Sequence, residues 1–201
     1  MEWLIIIAIG VGTYAFFRHR SGRVDLSMLP EQFVVVDLET TGLDSQNDEI
    51  IEISAVLVNR DSEHHTTFRA LVRPSRKIPK KITDLTGITQ DMIEKEGETL
   101  EVVLPQFIEF VGSHRLVFFN AAFDMAFLSK AATRCGLKMK NQVSCALEMA
   151  RRAWPGRRSY RLIDLARAGG LSIGGAHRAL YDCRLTVTVY AAAASRLRSL
   201  D

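Results

Sequence analysis

Apolar and polar positions change rhythm along this chain, and the changes mark its elements. Phe33 to Leu38 is a run of β-branched and apolar residues that predicts a buried strand. Ile50 to Asn59 predicts a second strand and His65 to Val72 a third, with Arg60-Asp61-Ser62-Glu63 as turn chemistry between them. Ile82 to Gly97 suits short helical turns. Leu100, Val103, Leu104, Phe107, Ile108 and Val111 recur at helical spacing and predict a helix over Thr99–Val111 despite Pro105. Arg115 to Asn120 predicts a short fourth strand leading straight into a helix that begins around Ala121–Asp124 and ends near Cys135. Another helix is expected over Cys145–Arg152, broken by Trp154-Pro155-Gly156. Leu162, Leu165 and Ala166 open a short helix closed by Gly169-Gly170, and a last helix runs past Asp182 towards Leu200.

The first segment follows a different pattern. Trp3 to Phe17 is almost wholly apolar and is followed by Arg18-His19-Arg20. As a helix it would span roughly 23 Å against about 30 Å of bilayer hydrocarbon. Aromatic residues at both ends and positive charge after the apolar run favour an anchor over a cleaved signal, with a hydrophobic helix packed on a protein partner as the other alternative. The expectation is a membrane anchor at residues 1–20, with residues 3–17 in the membrane, a linker at 21–31 and a folded domain at 32–201 on the cytoplasmic face.

Composition adds little. The 201 residues carry a net charge of +3, compatible with a polyanionic partner. Cys135, Cys145 and Cys183 are odd in number and widely spaced; no disulfide framework or CxxC pair is visible, which suits a reducing compartment.

The chemistry lies where the rhythms change. Asp37 and Glu39 are two apart at the end of the first strand, so both point to one face. Two ionised carboxylates there repel unless cations sit between them, and hard oxygen ligands suit Mg²⁺ or Mn²⁺. A strand end whose acids simply reach water is the alternative. Asp124 falls at a strand–helix junction, where α/β sheets place ligands, or is an ordinary cap. His177 and Asp182, five apart, would lie about 140° apart on one helix, so His177 is assigned to the Gly174-Gly175 lead-in and Asp182 to the helix. His64 and His65 read as strand-edge residues. The basic run around Arg73–Lys81 is either a solvated loop or a contact to phosphates or anionic lipid, and Arg157–Arg161 with Tyr160 is either a solvated loop or a grip on a nucleic-acid backbone with one base stacked.

Taken together, Asp37-Leu38-Glu39-Thr40-Thr41-Gly42-Leu43, Asn120-Ala121-Ala122-Phe123-Asp124 and His177-Arg178-Ala179-Leu180-Tyr181-Asp182 resemble the three motifs of the DEDDh exonucleases. These are ribonuclease H-like enzymes similar to the epsilon proofreading subunit of DNA polymerase III. The resemblance spans roughly residues 32–195. It implies an α/β fold, a mixed sheet with its first three strands antiparallel and helices on both sides.

The resemblance also implies roles. Asp37, Glu39, Asp124 and Asp182 would hold two divalent cations, Mg²⁺ or Mn²⁺, and His177 would be the general base. The backbone around Thr40 and Thr41 would meet the last nucleotide, Leu43 would wedge against its base, and Asn120 would position the scissile end. Phe119 stands where members often carry His. The expected activity is 3′–5′ hydrolysis of nucleic acid to nucleoside 5′-monophosphates, on single-stranded DNA ends by preference. Action on RNA 3′ ends is one alternative and a non-catalytic docking module another. Protein partners are not legible.

Overall fold

The computed structural model describes residues 29–62, 65–172 and 179–200. Its frame is a five-stranded sheet in the order β3-β2-β1-β4-β5. The strands are β1 (Gln32–Thr40), β2 (Ile50–Asn59), β3 (Thr66–Leu71), β4 (Arg115–Phe118) and β5 (Val143–Cys145). β1–β2 and β2–β3 are antiparallel, while β1–β4 and β4–β5 are parallel. This is the expected mixed sheet. β5 was not expected: three residues are too few to show a period, and it is defined by its pairing with β4.

The helices among the described residues are α1 (Lys80–Thr86), α2 (Gln90–Glu96), α3 (Leu100–Val111), α4 (Ala121–Arg134), α5 (Ala146–Ala153), α6 (Leu162–Ala168) and α7 (Ala179–Arg198). Local chemistry sets several ends. Gly87, at φ +72°, closes α1 in the left-handed region. The Thr89 hydroxyl opens α2 by accepting from the Met92 N–H. Pro105 lies inside α3, which still forms because Val103, Leu104, Phe107 and Val111 are all buried.

Alternation along β1 builds two layers. Val34, Val36 and Leu38 face a core shared with Val103, Leu104 and Phe107 of α3 and Phe127, Leu128 and Ala131 of α4. Phe33 and Val35 face the other side, against Cys183, Val187, Tyr190 and Ala194 of α7. Small residues let α7 sit close to the sheet: the Cys183 thiol donates to the backbone carbonyls of Val35 and Ser54 at 3.6 and 3.5 Å. α5 and α6 cover the outer side of α7 through Ala150, Leu162, Leu165 and Val189.

The expected membrane attachment is corrected here. Among the described residues no helix is long and apolar enough to cross a membrane. The longest, α7, carries Asp182, Arg184, Arg196 and Arg198, whose charges a hydrocarbon layer would not accept. The anchor expected at residues 1–20, residues 3–17 included, lies outside the described residues, as does most of the expected linker.

Candidate active site

The alternation that buries Phe33 and Val35 against α7 continues at Asp37 and Glu39, which therefore emerge on the same side as that helix. There they meet Asp182 in the first turn of α7. One carboxylate oxygen from each of Asp37, Glu39 and Asp182 lies within 4.8 Å of the other two. Directly after Glu39 the β1–β2 register shifts. Such an irregularity turns the chain and re-aims the side chains next to it.

Asp124 reaches the same region from α4. The Asn120 carbonyl accepts from the N–H groups of Phe123 and Asp124 at 3.0 and 3.2 Å, which opens the helix. Asp124 is thus in the first turn rather than a cap, and is only 4% exposed. The exposed Asn120 side chain makes no capping bond.

Sequence reasoning missed Glu52. It stands directly opposite Glu39 on β2 and is 0% exposed. One carboxylate oxygen accepts from Arg69 Nε at 2.5 Å, the other from the Ala179 backbone N–H at 3.3 Å. Ala179 is the first residue of α7, so Glu52 ties the start of the helix that carries Asp182 to the strand beside Glu39. The available signal was a lone acid inside the apolar run Ile50-Ile51-Glu52-Ile53, because a buried charge needs partners.

The loop after β1 is ordered by its own polar groups. The Thr40 hydroxyl donates to the Gly42 carbonyl at 2.5 Å. The Thr41 hydroxyl donates to Asp48 at 3.1 Å and accepts from the Glu49 N–H at 3.0 Å. Both threonine side chains are turned into the protein, and Leu43 stands out at the tip, 86% exposed. His177 lies outside the described residues, so its place relative to Asp182 is not described.

Other candidates have structural duties. His65 Nδ1 accepts from the Asn59 N–H at 3.3 Å. Tyr160 donates its hydroxyl to the Trp154 carbonyl at 2.7 Å and packs with the α5–α6 cluster, so it is held as a core aromatic.

Electrostatics single out the acids. Burial, then the charges of Asp124, Glu39, Asp182 and Glu52, push the Asp37 carboxyl well above its ordinary range. Burial raises Asp124 to about 7, against backbone hydrogen bonds at Asp124 itself and at Leu38 that lower it. Burial, then the charges of Asp37, Asp124, Asp182 and Glu52, raise the Cys183 thiol, which is therefore inert. Carboxylates crowded this closely repel one another, and the all-oxygen donor set of Asp37, Glu39 and Asp182 fits hard divalent cations.

Fold and site thus define an α/β protein with a cation-ready acidic centre at the C-terminal end of its middle strand. The chain belongs to the exonuclease family, whose model matches residues 34–190. It is 38% identical over 165 residues to the DNA polymerase III subunit epsilon of Aquifex aeolicus, covering 82% of this chain and 81% of that one. It is 42% identical over 159 residues to the PolC-type DNA polymerase III of Clostridium perfringens, of which it spans 11%. Among solved structures, Escherichia coli exonuclease I in complex with a dT13 oligonucleotide superposes with a TM-score of 0.73 at 19% identity. That match covers 85% of this chain and 42% of the other, and is a likeness of fold.

Proposed function

We propose that the protein is a metal-dependent 3′–5′ exonuclease that removes nucleoside 5′-monophosphates one at a time from DNA ends. The observation that carries this reading is the convergence of Asp37, Glu39 and Asp182 within 4.8 Å, with buried Asp124 beside them. Family membership and the epsilon relative support it. The oligonucleotide in the exonuclease I complex and the DNA polymerase names of the relatives favour DNA over RNA.

Asp37, Glu39, Asp124 and Asp182 would hold two divalent cations, Mg²⁺ or Mn²⁺. Bound there, they would supply Lewis acidity, lowering the pKa of an attacking water and offsetting charge on the phosphate. His177 would take the proton of that water, whose oxygen joins phosphorus as the 3′ oxygen of the preceding nucleotide leaves. The backbone at Thr40 and Thr41 would meet the terminal nucleotide, Asn120 would orient the scissile end, and Leu43 would press against the last base.

The test uses the full chain with 5′-labelled single-stranded DNA and matched RNA, in Mg²⁺, in Mn²⁺ and in chelator, beside Asp182→Ala. The expected result is a ladder shortening from the 3′ end, faster on DNA. It should vanish in chelator and fall at least about 10³-fold in the variant, as when a unit of the catalytic set is removed. Faster RNA shortening would replace the substrate class. No shortening of either polymer would leave a docking module as the reading.

A further inference from the structure

The loop that carries Leu43 is held from behind by two cations on other elements. Lys130 of α4 donates to the carbonyls of Ser45 and Gln46 at 2.7 and 2.6 Å. Arg76, in the segment between β3 and α1, donates to the next carbonyl, Asn47, at 2.8 Å. Three successive carbonyls of one loop thus accept from two charged donors that are distant in sequence, and such bonds are stronger than neutral ones. On the loop's own side Asp48 accepts from Thr41 and from the Asp44 N–H.

The bracing has a geometric reason. Behind the loop lies a groove of about 340 Å³, bordered by Gln46, Asn47, Arg73, Arg76, Lys130 and Arg134. A side chain pressed on a base pushes back on its loop, and here the loop has space to give way. Lys130 and Arg76 stand across that space. Arg76 belongs to the basic run around Pro74 and Pro79, and its charge is used on a protein carbonyl. Lys130 also shares α4 with Asp124, so the loop is registered to a helix of the acidic centre.

We propose that Lys130 and Arg76 are positioning residues that hold Leu43 against the terminal base and so set the preference for unpaired 3′ ends. This rests on the exonuclease reading. Neither residue touches the acids; both act through the loop.

The experiment compares the full-length wild type, Lys130→Met, Lys130→Arg, Leu43→Ala and the Lys130→Met/Leu43→Ala double variant. Substrates are 5′-labelled DNA with a single-stranded, a mispaired or a paired 3′ terminus. Lys130→Met is expected to fold, with a melting temperature lowered by only about 2–4 °C, because the side chain is exposed and its bonds hold a surface loop. It should lower kcat roughly tenfold with little change in KM, the scale of a misplaced contact, and narrow the mispaired-to-paired rate ratio. Lys130→Arg should recover most of the loss. In the Leu43→Ala background, Lys130→Met should add nothing, since residues acting through one contact are not additive.

Wild-type kinetics in Lys130→Met, no effect of Leu43→Ala alone, or losses that multiply in the double variant would each overturn the inference while leaving the exonuclease reading intact. An inactive wild type would instead overturn the reading beneath it.

Discussion

A single buried carboxylate shows how much one residue organises. Glu52 accepts from Arg69 and from the first N–H of α7, and its charge adds to the crowding at Asp37. Removing it takes away two charge-assisted bonds and relieves some repulsion; the bonds dominate because they also fix the helix. Glu52→Ala is therefore expected to cost about 2 kcal/mol, the scale of hydrogen bonds to a charged group. It should appear as a lower urea midpoint with unchanged slope, together with weakened activity. An unchanged midpoint would mean that Glu52 anchors nothing. Not every acid was equally legible from sequence. Asp37 and Glu39 declare themselves by a two-residue spacing on a strand. Glu52 does not, because its partners, Arg69 and Ala179, come from other elements and no local rhythm announces them.

At the scale of elements, the loop after β1 depends on Gly42 lacking a side chain. A Cβ there would lie 2.3 to 2.6 Å from the Asp48 carboxylate, which is held by Thr41 and by the Asp44 N–H. Gly42→Ala should displace Asp48, lose those bonds and cost about 2 kcal/mol. If the clash is the cause, Gly42→Ala combined with Asp48→Ala should be no less stable than Asp48→Ala alone, a comparison a melting series makes directly. Helix α3 followed from its helical spacing, and β1 and β2 from continuous apolar runs, because both strands are buried on both faces of the sheet. β5 escaped because pairing rather than pattern defines it. Spacing alone did not bring Asp182 to Asp37, since it places neither α7 nor its turn on the sheet; the motif resemblance implied the pairing, and the close seat of Cys183 on β1 and β2 is what brings them together.

For the whole molecule, the crowded acids make stability depend on pH and on cations. Asp124 is raised from an ordinary value of 3.8 to about 7, and Asp37 is also raised. With a raised pKa the folded protein keeps a proton that the unfolded chain has given up. Stability is therefore full below about pH 4 for these groups and is lost as pH rises through about 7. In chelator the melting temperature is expected to fall between pH 5 and pH 8. Added Mg²⁺ should restore it, and by more at pH 8 than at pH 5, because the cations bind the ionised acids of the folded form. A metal effect independent of pH would contradict this account of the site.

The tether between Glu52 and Ala179 carries a further consequence. The acidic centre joins positions 37 and 182, and the second sits one turn inside the end of a helix. Helix ends open more readily than sheet interiors. Fraying of that first turn would part Asp182 from Asp37 and Glu39 while the two cores stayed packed. On the exonuclease reading, hydrolysis would then cease on warming before the fold melted, and its loss would report the fastening of one helix end rather than the integrity of the fold.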